Sequence, residues 1–269
     1  MNALRNGQYY GLTNQLVTLG GLTLTDTEYT HDRVDWHYHE NAYFTFVLAG
    51  RVLEGNRTDT HHCTAGSLLF HHWQEAHYNT KPRGYTRGFH VEITPDWFNA
   101  HGLDTSRVQG SLNLPDPGLK ALMYAILKET KLQDGHEKLA VDALLVQLLS
   151  EIESSPVRLD RQKPAWVSQL RDLLHDAPHE PWTLAQLADQ TGLHPVYLCR
   201  QFPRYFHCHF GGYLRAIRLQ QAMPLLLMPD IALTDVALAC GFSDQSHFIR
   251  SFRQQYRLTP SHYRKLLAC

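Results

Sequence analysis

Cysteine is sparse in this chain of 269 residues, and its placement excludes several kinds of site. No two cysteines have the Cys-x-x-Cys spacing of redox dithiols and many structural zinc sites. They stand at positions 63, 199, 208, 240 and 269. We expect free thiols in a reducing compartment. Cys240 should fill a small core site, and Cys63, beside His61 and His62, is a minor candidate for a redox or metal group.

Long hydrophobic runs and targeting signals are also lacking. No stretch reads as a transmembrane helix, which needs about 18 or more apolar residues. The start, Met1-Asn-Ala-Leu-Arg, has neither a signal peptide nor a lipidation signal. We therefore expect a cytoplasmic protein, of bacterial type, without a membrane partner. The length is sufficient for two domains with separate cores.

The net charge of −1 hides two regions of opposite sign. Residues 1–156 carry 12 Lys and Arg against 18 Asp and Glu, a balance of −6. Residues 157–269 carry 13 against 8, a balance of +5. A basic C-terminal region attracts phosphates, although a basic surface alone is commonly only solvated.

A duplication is the most informative pattern. Ala-x-x-x-Gly followed by Arg-x-Phe occurs in residues 188–202 and again in residues 237–252, at intervals of 49 and 50 residues. The small residue suits a helix crossing, and the glycine suits a sharp turn. The pattern predicts two linked helix-turn-helix units, with Ser243 as the N-cap of the last recognition helix.

The second unit also contains a long series of fragments at fixed spacing. They are Asp235-Val-Ala, Gly241-Phe-Ser, Ser246-His-Phe, Arg250-Ser-Phe-Arg, Thr259-Pro-Ser and Tyr263-Arg. In these fragments the last hundred residues resemble the AraC/XylS transcriptional regulators. The resemblance implies an all-α DNA-binding domain at 164–269, with a linker helix around residues 218–226. It also implies a structural ion pair between Arg218 and Asp235.

The resemblance implies which side chains face DNA. They are Val196, Cys199 and Arg200 on the first recognition helix, and Gln245, Ser246, His247, Ile249 and Arg250 on the second. Arginine can bridge guanine O6 and N7, and glutamine can pair with adenine, but Arg200 and Arg250 could equally contact phosphates. Pro203 and Pro224 are expected to kink or shorten their helices. The two recognition helices would enter adjacent major grooves of double-stranded DNA, roughly 10 bp apart.

Upstream, short β-rich runs separated by glycines predict a small antiparallel barrel over residues 1–112. His37-x-His39 and the run from Gly66 to His77 resemble the two cupin motifs. The glutamate that those motifs place after His39 is missing, and Tyr43 or Phe44 stands near its position. The overall fold is therefore expected to be α+β, with a cupin-like barrel ahead of the helical domain.

The barrel interior is the candidate effector pocket. His37 and His39 face the same way on a strand, and with His77 they would form a three-imidazole site suited to zinc or another divalent ion. The alternative is an organic-ligand pocket lined by the same histidines and Tyr43. His71 and His72 are expected to be surface or strand residues.

Residues 113–153 predict two helices with apolar stripes, and a polar linker follows at 154–163. Helices at this place resemble the dimerisation element of the family, so we expect a homodimer. The function predicted is a DNA-binding transcriptional regulator, not an enzyme, that senses a small-molecule effector or metal and contacts RNA polymerase if it activates. The alternative is a metal-dependent cupin enzyme using His37, His39 and His77, a dioxygenase or isomerase, with an attached DNA-binding module.

Overall fold

A computed structural model describes residues 2–57, 59–104, 110–132, 135–154, 164–206, 208–228 and 230–267. The chain divides into two compact units, Met1–Ser154 and Ser155–Cys269. The linker expected at 154–163 lies outside the described residues except for Ser154. No described helix has the length and apolar character that a membrane span requires.

The first unit consists mainly of short strands, followed by helices. The strands are β1 Asn2–Leu4, β2 Leu12–Leu19, β3 Leu22–Glu28, β4 Arg33–His39, β5 Ala42–Ala49, β6 Arg51–Asn56, β7 Thr60–Thr64, β8 Leu68–His71, β9 His77–Thr80, β10 Arg87–Ile93 and β11 Ser111–Asn113. The helices are α1 Pro95–Ala100, α2 Pro117–Leu132 and α3 Glu137–Ser154.

The strands form two sheets rather than the closed barrel that the sequence predicts. One sheet has the order β1-β4-β9-β6-β7 and the other the order β11-β8-β5-β10-β3-β2. Among the described residues no ladder joins the edge strands of one sheet to those of the other. The pairing is also not wholly antiparallel, because β1 lies parallel to β4. The expected α+β class is present, but the barrel is wrong.

The glycine turns explain why the barrel prediction was wrong. Gly50, with a φ of +78°, separates β5 from β6, and these two strands belong to different sheets. A Cβ at Gly50 would lie 2.1 Å from the carbonyl oxygen of Tyr85, so only glycine fits the turn. The glycine-marked breaks that resemble hairpins in the sequence therefore include crossings between two layers.

Strand β5 is buried on both faces, and this defines the layers of the unit. Val47 packs with Val52 and Cys63 of the other sheet. On the opposite face, the Phe46 ring meets the Tyr124 ring of α2 edge to face, with centroids 4.6 Å apart. The larger sheet therefore lies between the smaller sheet and the helices.

A buried ion pair network joins α2 to the larger sheet. Asp26 of β3 accepts two hydrogen bonds from Arg87 of β10, at 2.7 and 2.6 Å, and one from Lys131 of α2 at 3.2 Å. Asp26 is 1% exposed. Burial raises the pKa of its carboxyl, but the Arg87 hydrogen bonds and the two cations outweigh burial, and the pKa is lowered.

The second unit is helical. Its helices are α4 Ala165–Asp176, α5 Leu184–Thr191, α6 Pro195–Phe206, α7 Phe210–Leu226, α8 Leu233–Ala239, α9 Gln245–Tyr256 and α10 Pro260–Leu267. α5 and α6 form the first helix-turn-helix unit, α8 and α9 form the second, and α7 contacts α4, α6, α8, α9 and α10. Phe202 and Phe252, the equivalent aromatic residues of the repeat, are each at most 1% exposed.

Helix ends follow the sequence with two exceptions. Gly192 and Gly241 take positive φ, 66° and 79°, as expected for the turns. The N-cap of α9 is Asp244 rather than Ser243, because the Asp244 carboxylate accepts the His247 N–H at 2.7 Å. Pro203 does not end α6, which continues to Phe206, whereas α7 ends two residues after Pro224.

Arg218 has partners other than the one expected. Its Nε donates to the carbonyl oxygen of Pro178 at 2.7 Å, and its terminal nitrogen donates to the carbonyl of Glu180 at 2.8 Å. Asp235 is exposed. The guanidinium therefore binds the backbone of the α4–α5 loop, where two carbonyl oxygens match its fork of donors.

Candidate effector pocket and DNA-reading surface

Three buried histidines lie together between the two sheets. His37 and His39 come from β4 and His77 from β9, and one ligand atom from each lies within 4.8 Å of the others. Each histidine is at most 2% exposed. The period of two along β4 and the pairing of His37 with His77 across the ladder bring them together. The cluster predicted from the sequence is therefore present as a cluster.

The Nδ1 atoms of these rings are all bonded to acceptors. His37 Nδ1 lies 2.9 Å from the Asp35 carbonyl oxygen, and His77 Nδ1 lies 3.1 Å from that of Glu75. His39 Nδ1 lies 3.1 Å from Glu92 Oε1. These acceptors favour the tautomer with the proton on Nδ1, which makes each Nε2 an acceptor or a possible metal ligand.

Aromatic and acidic side chains surround the histidines. Tyr43 Oη lies 3.0 Å from His77 Nε2, and the Tyr43 ring stacks on His71 with centroids 4.5 Å apart. His71 Nε2 lies 3.0 Å from Glu54 Oε1, with both side chains buried. The Tyr43 hydroxyl is the donor to His77 while that position holds no other ligand.

Burial dominates the electrostatics of the pocket. It lowers the pKa of His39 and of His77 well below the ordinary histidine value, so both rings are neutral at pH 7. Burial also raises the pKa of Glu92 to about 7. For Glu54 burial raises the pKa, but the charge and hydrogen bond of His71 outweigh it and lower the value to about 2.

The space left inside the pocket is small. Its volume is about 40 Å³, and its walls include Tyr9, Tyr43 and His90. The Tyr9 ring stacks on His90 with centroids 3.8 Å apart. Since one water needs roughly 10–15 Å³ on this scale, the cavity has room for an ion with a few waters.

Several pocket residues were not predicted from the sequence. His71, expected to be a surface or strand residue, is a strand residue that is fully buried beside Tyr43. Glu54, Glu92 and His90 were missed, although Glu92 stands between two aliphatic residues in β10 and such a carboxylate indicates a buried polar contact.

Cys63 does not fit the redox or metal interpretation. It packs with Val47 and Leu69 in the core and is 3% exposed. Burial raises the pKa of its thiol to about 12, so the thiolate needed for metal binding or oxidation is scarce at pH 7. Cys240 is a buried core residue as expected, at 1% exposure.

The first helix-turn-helix unit exposes the predicted residues. Val196, Cys199 and Arg200 are exposed on α6, with Val196 at 54%. Leu198 and Phe202 point into the core on the other side. The α5 N-terminus is closed by a capping box, in which Thr183 and Gln186 satisfy each other's backbone N–H groups.

The second helix-turn-helix unit presents more polar side chains than the first, and two of them are held by hydrogen bonds within the unit. On α9, Ser246 and Arg250 are exposed, and Gln245, His247 and Ile249 are half-buried. Gln245 Oε1 accepts the Thr234 hydroxyl at 2.7 Å, which leaves its amide NH₂ group as a donor. His247 Nδ1 lies 3.2 Å from Ser243 Oγ.

A basic groove runs along α9. Its walls are Arg250, Arg253, Gln254 and Arg257, all exposed. Of these residues only Arg250 was predicted to face DNA, although three arginines at spacings of three and four residues predict a single helix face. Three guanidinium groups on one face form an anion-binding surface of the kind that contacts a phosphate backbone.

Comparisons with known proteins agree with this geometry. Residues 187–266 match the family described as Helix-turn-helix domain. An uncharacterized HTH-type transcriptional regulator of Haemophilus influenzae is 28% identical over 162 residues, which cover 57% of this chain and 54% of that protein. The HTH-type transcriptional regulator AlkR of Acinetobacter baylyi is 25% identical over 152 residues, covering 54% and 49%. The chain thus spans about half the length of these relatives.

Among solved structures, ToxT from Vibrio cholerae aligns over 93% of this chain and 100% of its own, with 11% identity and a TM-score of 0.40. This similarity in shape is too low to support a functional argument. The helix-turn-helix match covers only the C-terminal part of the chain. Residues 187–266 therefore contain a helix-turn-helix domain, and the chain is similar to named HTH-type transcriptional regulators.

Proposed function

We propose that the protein is a sequence-specific DNA-binding transcription regulator. The observation that carries this proposal is the pair of helix-turn-helix units around α7, each with exposed arginines on its second helix. The excess of positive charge in residues 157–269 adds a long-range attraction for DNA. The two recognition helices enter adjacent major grooves, roughly 10 bp apart.

The second unit carries most of the base reading in this proposal. Arg250 can bridge guanine O6 and N7, and the Gln245 amide can donate to an acceptor on a base edge. Arg253 and Arg257 bind phosphates and set the register. In the first unit Arg200 is the main polar reader, because Val196 and Cys199 offer little hydrogen bonding.

Selection of bound sequences from a random DNA pool tests the proposal. Arg250→Ala should relax the preference at one position and weaken binding by about 1–3 kcal/mol on the selected site. Gln255→Ala, an exposed change on α9 outside the groove, serves as the matched control. An equal loss on every sequence would make Arg250 a phosphate contact. No selected sequence at all would refute the proposed function.

We further propose that the N-terminal unit is the sensor and that its ligand is a divalent transition-metal ion. His37, His39 and His77 would hold the ion through their Nε2 atoms, with Glu92 orienting His39 from the opposite side of the ring. Neutral buried imidazoles are suitable zinc ligands. The small cavity favours this ligand over an organic effector, which would have to displace Tyr9.

Metal analysis and thermal denaturation with Zn²⁺, Co²⁺ or Ni²⁺ test the sensor proposal. Bound metal should raise the melting temperature of the native chain but not that of His37→Ala or His77→Ala. His62→Ala, an exposed histidine on β7, is the control. An organic ligand that binds without metal would replace the ion as effector. Turnover of an aromatic or sugar substrate by the metal-loaded protein would favour the cupin enzyme instead.

A cytoplasmic homodimer completes the proposed function. The stripe of α3 that the sequence offered to a partner is largely buried in its own unit, since Val141, Leu145 and Leu148 are fully buried. Leu139 remains 75% exposed on that helix and is the residue available to a second copy. Light scattering should give a dimer at micromolar concentration, and Leu139→Glu should shift it to monomer. A monomeric parent protein would refute the dimer. RNA polymerase is the further partner if the protein activates.

A further inference from the structure

The two turn glycines of the repeat have different surroundings. Gly192 and Gly241 both adopt positive φ. A Cβ at Gly192 would meet nothing within 4 Å, whereas a Cβ at Gly241 would lie 2.7 Å from His179 Cα and 2.8 Å from the His179 carbonyl oxygen. The turn of the second helix-turn-helix unit therefore packs directly on the loop between α4 and α5.

This loop, residues 177–182, is fastened on two sides. Trp182 packs against the core of the first unit, and its indole N–H donates to the Ala177 carbonyl at 2.8 Å. Arg218, on the shared helix α7, donates to the Pro178 and Glu180 carbonyls. Arg218 Nε would also lie 3.1 Å from a Cβ at Gly241. The loop thus contacts the first helix-turn-helix unit, the linker helix α7 and the second helix-turn-helix unit.

We propose that this loop is a clamp that fixes the spacing and angle between the two helix-turn-helix units, with Arg218 and Gly241 as its positioning residues. Neither lies on the faces that read DNA, so they act by holding those faces in register. A helix alone fixes two attached units less well, because each unit can rock about its own contacts. The loop restricts this movement, because two of its carbonyl oxygens accept hydrogen bonds from Arg218 and its backbone packs on the turn at Gly241.

The clamp has a consequence for DNA specificity, which rests on the proposed function. One inserted base pair moves the distal half of a site by about 3.4 Å and turns it by about 35°. A rigid pair of units cannot follow this change and loses the contacts of one unit. We therefore expect the native protein to bind a site lengthened by one base pair roughly tenfold or more weakly than its selected site.

Binding to sites of altered length tests the clamp. Arg218→Met keeps an unbranched apolar side chain but removes both donors, and Gly241→Ala brings a Cβ against the loop backbone. Both variants should reduce the difference in binding affinity between the selected and lengthened sites. Arg218→Lys, which keeps one donor group, should retain part of the native difference. Gly192→Ala carries the same backbone strain without the contact and should keep the native ratio. If both Arg218→Met and Gly241→Ala kept the native ratio of affinities for the selected and lengthened sites, the proposal would be overturned.

A measurement without DNA separates this proposal from the proposed function. Spin labels on the exposed Cys199 and on Gln255→Cys, with Cys208 and Cys269 changed to serine, report the distance between α6 and α9 in the full chain. The native and Gly192→Ala proteins should give one narrow distribution. Arg218→Met and Gly241→Ala should broaden it at unchanged helix content. Narrow distributions in both clamp variants would overturn the clamp, whether or not the protein binds DNA.

Discussion

Removal of Asp26 should be far more damaging than removal of an exposed carboxylate with equally short contacts. Asp26→Ala leaves Arg87 and Lys131 without their shared partner, and these side chains are only 11% and 9% exposed. Two buried cations then lack an anion, at a cost of roughly 3–5 kcal/mol. In a unit of this size each kcal/mol corresponds to about 2–4 °C, so the first unit should melt about 10 °C lower.

The matched control is Asp35→Ala. Arg33 and Asp35 lie 2.8 Å apart, a distance similar to that of the Asp26 pairs, but their side chains are 69% and 82% exposed. Because solvent screens such an exposed pair, it contributes little to the free energy of unfolding, and the variant should melt at nearly the same temperature as the native protein. Asp35→Ala also keeps the backbone carbonyl that His37 uses.

Calorimetry of the full chain is the appropriate assay, because two units can melt in separate transitions. The measurement belongs at pH 7. A carboxyl whose folded pKa is lowered stabilises the fold above its unfolded pKa of about 3.9 and loses this contribution as the pH falls. Equal melting temperatures for Asp26→Ala and Asp35→Ala would refute the reasoning that burial, not distance, decides the contribution of an ion pair.

Three further outcomes follow from burial and capping. Burial lowers the pKa of His90 to about 3, so the unfolded chain takes up a proton from about pH 6.5 downward and the folded one does not. His90→Gln should therefore reduce the loss of stability between pH 7.5 and pH 5, measured by urea unfolding, by roughly 2 kcal/mol, and the buried His39 and His77 account for a further part of that loss. An unchanged loss in the variant would contradict the assignment. Thr183→Ala removes the capping box and should cost about 1 kcal/mol by urea unfolding followed by circular dichroism, whereas no change would show that water replaces the cap. A thiol reagent should modify the exposed Cys199 in the native protein but reach Cys63 and Cys240 only after unfolding, and early labelling of either would contradict their burial.

The helical domain was predictable because its signals are local. Capping residues, turn glycines and apolar periodicity all fall within about fifty residues, and the duplication repeats them. The predicted N-cap of α9, Ser243, is one residue away from the observed N-cap, Asp244. Serine and aspartate both favour this position, so the sequence alone does not distinguish them. The partners of Arg218 could not be predicted, because backbone carbonyls have no sequence signature.

The pocket was predictable only where one strand supplied the pattern. His37 and His39 alternate along β4, so their common face follows from strand geometry. Glu54 and Glu92 reach the same pocket from β6 and β10, and their approach depends on how two sheets pack. Closure of the sheets was mispredicted for the same reason, since strand spacing does not determine which strands pair.

The unequal surroundings of the two turn glycines also determine which substitutions the repeat can tolerate. Asparagine adopts the left-handed conformation more easily than other residues with a side chain, and at Gly192 that side chain would extend into open space. At Gly241 any side chain meets the backbone of His179. A library randomised at both positions should therefore return several residues at 192 and only glycine at 241.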